Sequence, residues 1–457
     1  MPGLTEPVTD KEAVAATRAL ARYGVSSRYE KLPAAVVHEA ARAIVNWAGC
    51  AIGASAHQTV ESAWSAMRPF AGNAQATLLG RRERTDILNA ALVNGISSHV
   101  LDFDDTHPDT LVHPSGPVAS ALFALAEHRT VSGPELVNAF VTGVEVECRV
   151  ARAVLPAHYD VGWHITATAG VFGAAAACAR LLGLDEQRTV WALGLAATQA
   201  AGLREMFGSM AKSLHPGRAA QNGLAAALFA QAGFTSAETA IEGRRGFAHV
   251  LSTSVDLAKC VESLGQRYEL LGNTYKPFAC GLVIHPVIDG CIRLREAGVR
   301  AADVERIDLK VHPLVLELTG KAAPRSGLEG KFSVFHAAAI ALIDGAGGEA
   351  QFADGRVADA QVTALRERVR AHIDPGLAMD AAQVTVTLRD GVQRAVVVDH
   401  CIGSRERPLS DDQLDRKFTD QCEPVLGTQR TAQALAFMRQ IDQCSGVQVC
   451  AVACALP

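Results

Sequence analysis

The sequence predicts a mainly α protein in which a large all-helical domain carries an inserted, smaller α+β domain. Three observations favour this class. Helical periodicity runs from about residue 9 to 265, strand-like alternation is confined to the stretch between 266 and 402, and helical periodicity returns after 403. We therefore expect domains at residues 1–265, 266–402 and 403–457. A cleft between two such domains is a common place for a small-molecule site.

The first predicted domain contains long apolar stretches with helical spacing. The best delimited is Pro33–Gly53, which has proline at its start and glycine at its end. Ala167–Leu182 and Trp191–Leu203 are rich in small residues, which predicts buried helices packed closely together. A further helix is predicted over Ala219–Ala232, with Gly233 after its last turn.

The second part combines strands and helices. Val304–Val311 alternates as a half-buried strand does, and residues 384–398 read as a hairpin that turns at Asp390-Gly391. Lys331–Asp344 and Asp359–Ala371 are predicted helices, the second capped by Asp359. In the C-terminal return, Ser410 and Gln413 form a predicted capping box.

Composition excludes several classes of protein. The formal charge of −5 and the 5% aromatic content argue against nucleic acid, which favours clustered basic and stacking residues. No uninterrupted apolar run is long enough to cross a membrane, and residues 1–13 are polar, so neither a membrane span nor a secretion signal is expected.

Eleven cysteines without a CxxC pair are typical of a reduced, cytoplasmic protein. Cys444, Cys450 and Cys454 cluster near the C-terminus. An iron–sulfur site there is the alternative, but its ligand spacing is usually tighter. We expect buried, inert thiols.

The densest polar constellation lies between Asn94 and Gly116. If helix continues through it, one face would carry His99, Asp102 and Thr106. Pro108 and Pro114 then force a loop that returns His113 towards that face. Histidine beside carboxylate is suited to acid/base chemistry, and the alternative is a solvated acidic loop. The full set is His99, Asp102, Asp104, Asp105, Thr106, His107, Asp109 and His113.

Two metal sites are conceivable within this constellation. Asp104, Asp105 and Asp109 faintly match the aspartate-rich Mg²⁺ motif of isoprenoid synthases, although the third aspartate is one position late. His107 and His113 would bind zinc only with an unusual spacing. We therefore predict no metal and no other cofactor.

A second cluster is basic. Lys212, His215 and Arg218 follow one another at three-residue steps in an alanine-rich context. A lysine buried there is costly unless it meets an anion, and the start of a helix adds partial positive charge. His164 lies in an apolar stretch and Lys276 begins the second domain. The alternative interpretations are that His164 is a histidine of the apolar core and that the lysines are surface residues.

Cationic groups beside a histidine suit the removal of a proton from carbon next to a carboxylate, because they stabilise the enolate-like charge. Loss of water, loss of CO₂ and inversion at carbon all pass through such a state. The expected ligand is a small polycarboxylate.

Five motifs in order now carry a resemblance: NGISSHVLDFDDTH…HPSG, GWH, GSMAKSLHPGRAAQNG, YKPFACGLVIHP and PRSGLEGKFS. Together they resemble the MmgE/PrpD family, which includes 2-methylcitrate dehydratase, cis-aconitate decarboxylase and iminodisuccinate epimerase. The resemblance implies a helical domain with an α+β lid, a homodimer and no cofactor. It also implies a site built from Asp102, Thr106, His113, His164, Lys212 and Lys276.

The resemblance indicates the site more closely than the reaction. We expect a lyase, with His113 as the main acid/base oriented by Asp102, and with Lys212 as the third catalytic residue. Carboxylates would be bound by Thr106, His164, His215 and Lys276. The motifs PRSGLEGKFS and HYDVGWH are more similar to the epimerase, so an epimerase is one alternative. A non-catalytic polycarboxylate-binding protein is the other.

Overall fold

The computed structural model describes residues 14–456, so the polar stretch 1–13 lies outside the described residues. The N-terminal part is helical apart from one short antiparallel sheet. Its elements are α1 (Ala16–Ser26), α2 (Ala34–Gly53), α3 (Gln58–Met67), β1 (Ala76–Thr77), β2 (Arg84–Thr85), α4 (Ile87–Val100), α5 (Ser115–His128), α6 (Gly133–Val154), α7 (Ala157–Val161), α8 (Ile165–Leu181), α9 (Glu186–Ala197), α10 (Ala211–Gln231), α11 (Phe247–Leu251) and α12 (Ala258–Val261).

The following part places helices against a four-stranded sheet. Its elements are α13 (His285–Glu296), β3 (Val304–Val311), α14 (Pro313–Thr319), α15 (Gly327–Gly330), α16 (Val334–Asp344), α17 (Asp354–Val357), α18 (Ala360–Arg366), β4 (Val369–Ile373), β5 (Ala382–Leu388) and β6 (Gln393–Val398). The strand order is β4-β3-β5-β6, with β3 parallel to β4 and antiparallel to β5. The mainly α class with a smaller α+β part is confirmed.

The chain then returns to the helical part through α19 (Asp411–Leu426), α20 (Thr428–Arg439) and α21 (Gln448–Ala453). Helix α19 packs on α2, where Phe418 lies against Gly49 and a methyl group on that glycine would come 3.0 Å from the ring. Leu414 and Phe418 are buried in the same apolar core as Trp47.

Several predicted elements are confirmed. The strand Val304–Val311 has the predicted bounds, and the hairpin turns at Gly391, where φ is +84°. Asp359 caps its helix by accepting from two main-chain N–H groups. Ser410 and Gln413 form the reciprocal capping box.

Three predicted helix bounds were wrong. The helix predicted over Trp191–Leu203 is α9, which begins at Glu186 behind its cap Asp185 and ends at Ala197. The chain turns thereafter, and Gly202 has a non-helical φ of +143°. The helix predicted from Ala219 begins eight residues earlier, at Ala211, and continues through Pro216. Proline breaks helices by removing one N–H donor, and here packing outweighs that local cost.

The helix predicted over Asp359–Ala371 ends at Arg366. Residues 369–373 instead form β4, which pairs in parallel with β3 from Ile307 to Val311. Local periodicity did not distinguish helix from strand for these residues, because the strand is stabilised by pairing with residues about 60 positions away.

Close helix packing sets the geometry of the site. Gly95 of α4 and Gly217 of α10 meet where the two helices cross, and a Cβ atom on Gly95 would lie 2.5 Å from the Gly217 Cα. Only glycine allows this approach. The crossing brings His99, near the end of α4, close to Lys212, at the start of α10. Among the described helices, none has the length and apolar character needed to cross a membrane.

Candidate active site

Six of the seven predicted site residues line one pocket. They are Asp102, Thr106, His113, His164, Lys212 and Lys276. The seventh, His215, lies behind His164, and their Nδ1 atoms are 2.8 Å apart. Helix α10 and the loops after α4, α7 and α12 therefore converge as the resemblance implies.

The loop after α4 differs from the expected helix. Helix α4 ends at Val100, and Asp102 has a φ of +50°, so His99, Asp102 and Thr106 do not share a helical face. The loop is pinned by main-chain pairing of Thr106 with Thr274. It is also buried, which excludes the solvated-loop alternative.

Two ammonium groups meet at one carboxylate oxygen. Lys212 Nζ donates to Asp102 Oδ1 over 3.0 Å, and Lys276 Nζ donates to the same atom over 2.6 Å. Burial opposes ionisation of Asp102, but the two lysines outweigh it and hold the pKa well below its usual range. Both lysines are themselves buried, at 7% and 1% exposure, so neither is the solvated surface residue of the alternative interpretation.

The two lysines differ in their electrostatic environment. Burial lowers the pKa of Lys212 more than Asp102 raises it. For Lys276, burial is outweighed by Asp102 and Asp104, and the pKa is raised. Lys212 is thus the more readily deprotonated of the two cations.

The ring of His113 is oriented by neighbours other than Asp102. Its Nδ1 lies 2.8 Å from the main-chain carbonyl of Asp105, 3.3 Å from the Thr106 hydroxyl and 3.5 Å from Asp104 Oδ2. The expected orientation by Asp102 was therefore wrong, since that carboxylate is taken up by the lysines. Burial lowers the pKa of His113 well below its usual value, although Asp104 opposes the shift.

His99 and Asp104 form a buried pair. The sequence analysis named both residues among the polar set between Asn94 and Gly116 but assigned neither of them a role. The Nδ1–H of His99 donates to Asp104 Oδ2 over 2.7 Å, and its Nε2 accepts from Lys212 Nζ over 3.0 Å. His99 thus links the acidic loop to α10. A single sequence offered no means of ranking it against His113, because both histidines have aspartates within a few positions.

His164 and His215 are both neutral at neutral pH. Burial lowers the pKa of each, to about 4 for His215 and well below the usual value for His164. With the two Nδ1 atoms in contact, one ring donates and the other accepts. The edge of Phe207 packs on His164, with ring centroids 5.0 Å apart.

The remaining pocket wall is largely apolar and was missed by sequence reasoning. It combines residues of the helical part with Leu318, Thr319 and Phe332 from the α+β part. Their apolar side chains gave no chemical reason to place them at a site, although Phe332 and Gly281–Val283 lie within two of the five motifs. The other members of this wall are Leu111, Tyr159, Phe207, Gly281, Leu282 and Val283.

Three histidine nitrogens, from His99, His113 and His164, lie within 4.8 Å of one another and could in principle hold a metal ion. The three histidines are nevertheless not suited to bind a metal ion. Both nitrogens of His99 are already engaged, and Lys212 places an ammonium 3.0 Å from Nε2. A cation there would displace Lys212 or be repelled by it.

The other predicted metal alternatives are also disfavoured by geometry. Asp109 is exposed beside Arg405, whereas Asp104 and Asp105 are buried, so the three aspartates do not converge. In the C-terminal cluster, burial raises the pKa of Cys450 and of Cys454, the latter to about 12. Metal ligation requires thiolates, which such environments disfavour.

Comparison with known proteins identifies the family to which the chain belongs. The MmgE/PrpD N-terminal domain matches residues 18–259 and the MmgE/PrpD C-terminal domain matches residues 278–443. The resemblance read from the five motifs is thereby confirmed.

Among curated relatives, cis-aconitate decarboxylase of Homo sapiens is 27% identical over 425 residues, covering 89% of this chain and 88% of that protein. The enzyme of the same name from Mus musculus is 29% identical and covers 78% of this chain and 76% of its own length. The 2-methylcitrate dehydratase of Escherichia coli is 26% identical over 126 residues, a quarter of either chain.

Proposed function

Since the chain belongs to the MmgE/PrpD family, we propose that it is a lyase that transfers protons next to a carboxylate of a small di- or tricarboxylate. The decarboxylase type is favoured over the dehydratase type. Relatives named cis-aconitate decarboxylase match between 78% and 92% of this chain, whereas the dehydratases match about a quarter. These relatives also favour a lyase over the epimerase and over a silent binding protein.

The observation that carries this function is the opposite protonation of neighbouring groups in one pocket. His113 is neutral at neutral pH because burial lowers its pKa, while Lys212 and Lys276 are held as cations beside Asp102. A neutral base and buried ammonium groups are what proton transfer at a carbon acid requires.

The proposed roles follow from the contacts. The Nδ1 proton of His113 is directed at the Asp105 carbonyl, which leaves Nε2 to exchange a proton with substrate carbon. Lys212 and Lys276 bind substrate carboxylates and stabilise developing negative charge, with Asp102 keeping both ammonium groups in place. Thr106 and His164 complete the polar wall, and His215 orients His164.

Either lyase reaction balances with these groups. In decarboxylation, the C–C bond to one carboxylate breaks and CO₂ leaves. The electron pair stays on carbon, delocalised into the remaining conjugated carboxylate, until the carbon accepts a proton from the ammonium group of Lys212 or Lys276. In dehydration, the base removes a proton from carbon and the hydroxyl group leaves as water with a donated proton.

The test is turnover of cis-aconitate and 2-methylcitrate by the purified chain, followed separately as CO₂ release and as the absorbance of the conjugated product. We expect CO₂ release from cis-aconitate or a substituted analogue. Neither gas nor a change in absorbance with either compound would refute the lyase. Exchange of solvent deuterium into a dicarboxylate without net turnover would favour the epimerase instead.

Further properties are proposed with this function. The family resemblance favours a homodimer, and the neighbouring exposed rings of Phe229 and Phe234, 5.6 Å apart, support an association surface. Light scattering after gel filtration measures the mass, and a monomer would contradict the proposal.

A cytoplasmic location is supported by the cysteines, which are all unpaired, from Cys50 to Cys454. A fluorescent fusion to the full chain tests it.

The domain division at residues 265 and 402 is supported by the packing of Phe418 on Gly49, which returns residues after 402 to the helical part. Limited proteolysis should cut near those boundaries.

A further inference from the structure

Three consecutive main-chain carbonyls behind the pocket are each bound by a different buried lysine. The carbonyls are those of residues 101–103, which surround the left-handed Asp102. They accept, in order, from Lys331 (2.7 Å), Lys276 (3.1 Å) and Lys417 (2.6 Å). Buried ammonium groups are costly. Lys276 is paired with Asp102 and Lys331 with Glu349, whereas Lys417 donates only to neutral oxygens, so its burial needs a physical reason.

Two of these lysines also bind the second segment that enters the site. Lys417 Nζ donates to the carbonyl of Lys276 over 2.9 Å, and Lys331 Nζ donates to the carbonyl of Ala279 over 2.8 Å. Each ammonium group therefore ties the loop of Asp102 to the segment of Lys276. They come from different parts of the chain, since Lys331 precedes α16 and Lys417 lies in α19.

Neither Lys331 nor Lys417 lines the pocket. The third proton of Lys417 goes to Asn46 Oδ1 over 2.7 Å, and its ammonium lies 3.9 Å from the centre of the Phe103 ring. All three hydrogen-bond partners of Lys417 are neutral oxygens that only accept. The complete set of bonds thus needs the charged form, although no carboxylate among residues 14–456 pairs with it.

We propose that Lys331 and Lys417 are positioning residues for the reaction. They hold Asp102 in its left-handed conformation and keep Lys276 within hydrogen-bond distance of the Asp102 carboxylate. A non-glycine residue with positive φ is retained only where surrounding contacts over-determine it, and the ammonium groups supply those contacts. The inference rests on the proposed function, in which Lys276 binds substrate and Asp102 keeps its ammonium group in place.

The kinetic test replaces Lys417 by methionine, which keeps the length of the side chain and removes its donors. We expect kcat/KM to fall at least tenfold, because Lys276, which is proposed to bind substrate, loses its position although Lys417 itself does not touch the pocket. Lys331→Met should behave in the same way and reports independently if the first variant does not fold.

The matched control is Arg149→Met. Arg149 is also a buried cation that donates to main-chain carbonyls, those of Glu262 and Arg267, but in a loop that does not line the pocket. Arg149→Met should lower the melting temperature without changing kcat/KM per folded molecule. Equal kcat/KM per folded molecule in both lysine variants and the control would overturn the proposal.

A crystal structure of Lys417→Met decides the proposal without turnover. We expect Asp102 to leave its positive φ, or the contact between Lys276 Nζ and Asp102 Oδ1 to lengthen beyond hydrogen-bond distance. An unchanged loop and contact would overturn the positioning role. If the parent chain turned over no polycarboxylate, the proposed function would fail, and this structural comparison would still decide whether the lysines hold the loop.

Discussion

The Nδ1–H group of His113 donates to the main-chain carbonyl of Asp105 over 2.8 Å. A carbonyl oxygen only accepts, so this contact selects the tautomer in which Nδ1 carries the proton and Nε2 the lone pair. The Nε2 atom makes no hydrogen bond within residues 14–456, and His113 lines the pocket. The main chain of the acidic loop, rather than a carboxylate alone, thus prepares His113 to accept a proton.

His113→Ala should lower kcat by about 10²- to 10⁴-fold, the usual contribution of a general acid/base. The matched control is His336→Ala. His336 is buried in α16 and contacts the Gln351 carbonyl, but it does not line the pocket. Both variants should lose some stability, so kcat is compared per folded molecule. Retention of more than about a tenth of parental kcat by His113→Ala would transfer the role to Lys212 or His164.

Asp102→Asn should bind citrate more tightly than the parent while losing turnover. The substitution removes a negative charge at Oδ1, where Lys212 and Lys276 meet, and leaves both cations for the ligand. Calorimetric titration with citrate measures the change. Asp109→Asn removes an equal charge from the one exposed position among residues 101–113 and should change neither property. Weaker citrate binding by Asp102→Asn would contradict this prediction and show that the placing of the lysines by Asp102 affects the ligand more than the removed charge does.

The sequence predicted the participants of this site better than their contacts. The types and order of residues around Asp102 and Lys212 indicated one anion-binding pocket, and six side chains do line it. The pairing of Asp102 with two lysines was not predictable, because it depends on the positive φ at Asp102 and on the crossing at Gly95 and Gly217. Both are tertiary features without a local pattern.

The same distinction holds for the fold. Capping residues such as Ser410 and Asp359 act within one turn, so their helix starts were predictable. Strand β4 was mistaken for helix because its pairing partner is β3, far away in the sequence. Likewise α10 passes through Pro216, where packing against α4 outweighs the local preference.

Lys276→Ala should weaken citrate binding and reduce the thermal stabilisation that citrate confers. Lys276 is 1% exposed and supplies one of the two ammonium groups at Asp102. A ligand that binds only the folded state raises the melting temperature by mass action, so the shift reports affinity. Lys310→Ala removes an exposed lysine of β3 and should leave the shift unchanged. Equal shifts in parent and Lys276→Ala would contradict the site.

Turnover should survive exhaustive treatment with EDTA. Lys212 lies against His99 Nε2, and both ring nitrogens of His99 are engaged, so the histidine cluster does not offer a free set of ligands. The lysines supply the positive charge that a metal ion would otherwise contribute. Activity is measured before and after chelation, with Mg²⁺, Zn²⁺ and Fe²⁺ added back. Loss with EDTA and recovery with one of these ions would refute the metal-free mechanism.

Asp104 and Asp105 are adjacent buried carboxyl groups with opposite pKa shifts. Burial opposes ionisation of Asp104, but His99 and His113 outweigh it and lower its pKa. Burial raises the pKa of Asp105 to about 7, although Ser115 and Asn273 donate to its Oδ2 over 2.6 and 2.7 Å. Asp105 therefore keeps its proton in the folded state at pH values where the unfolded chain has lost it.

Asp105→Asn should become more stable relative to the parent as pH rises from about 4 to about 7. A raised folded pKa means that the folded state binds more protons in this window, so the stability contributed by Asp105 falls as pH rises through about 7. Asparagine does not titrate, so its contribution to stability does not change with pH. The difference in melting temperature between variant and parent is measured at intervals from pH 5 to pH 8, with the exposed Asp109→Asn as a flat control. A difference that stays constant, or that shrinks with rising pH, would show that Asp105 is already ionised in the folded protein.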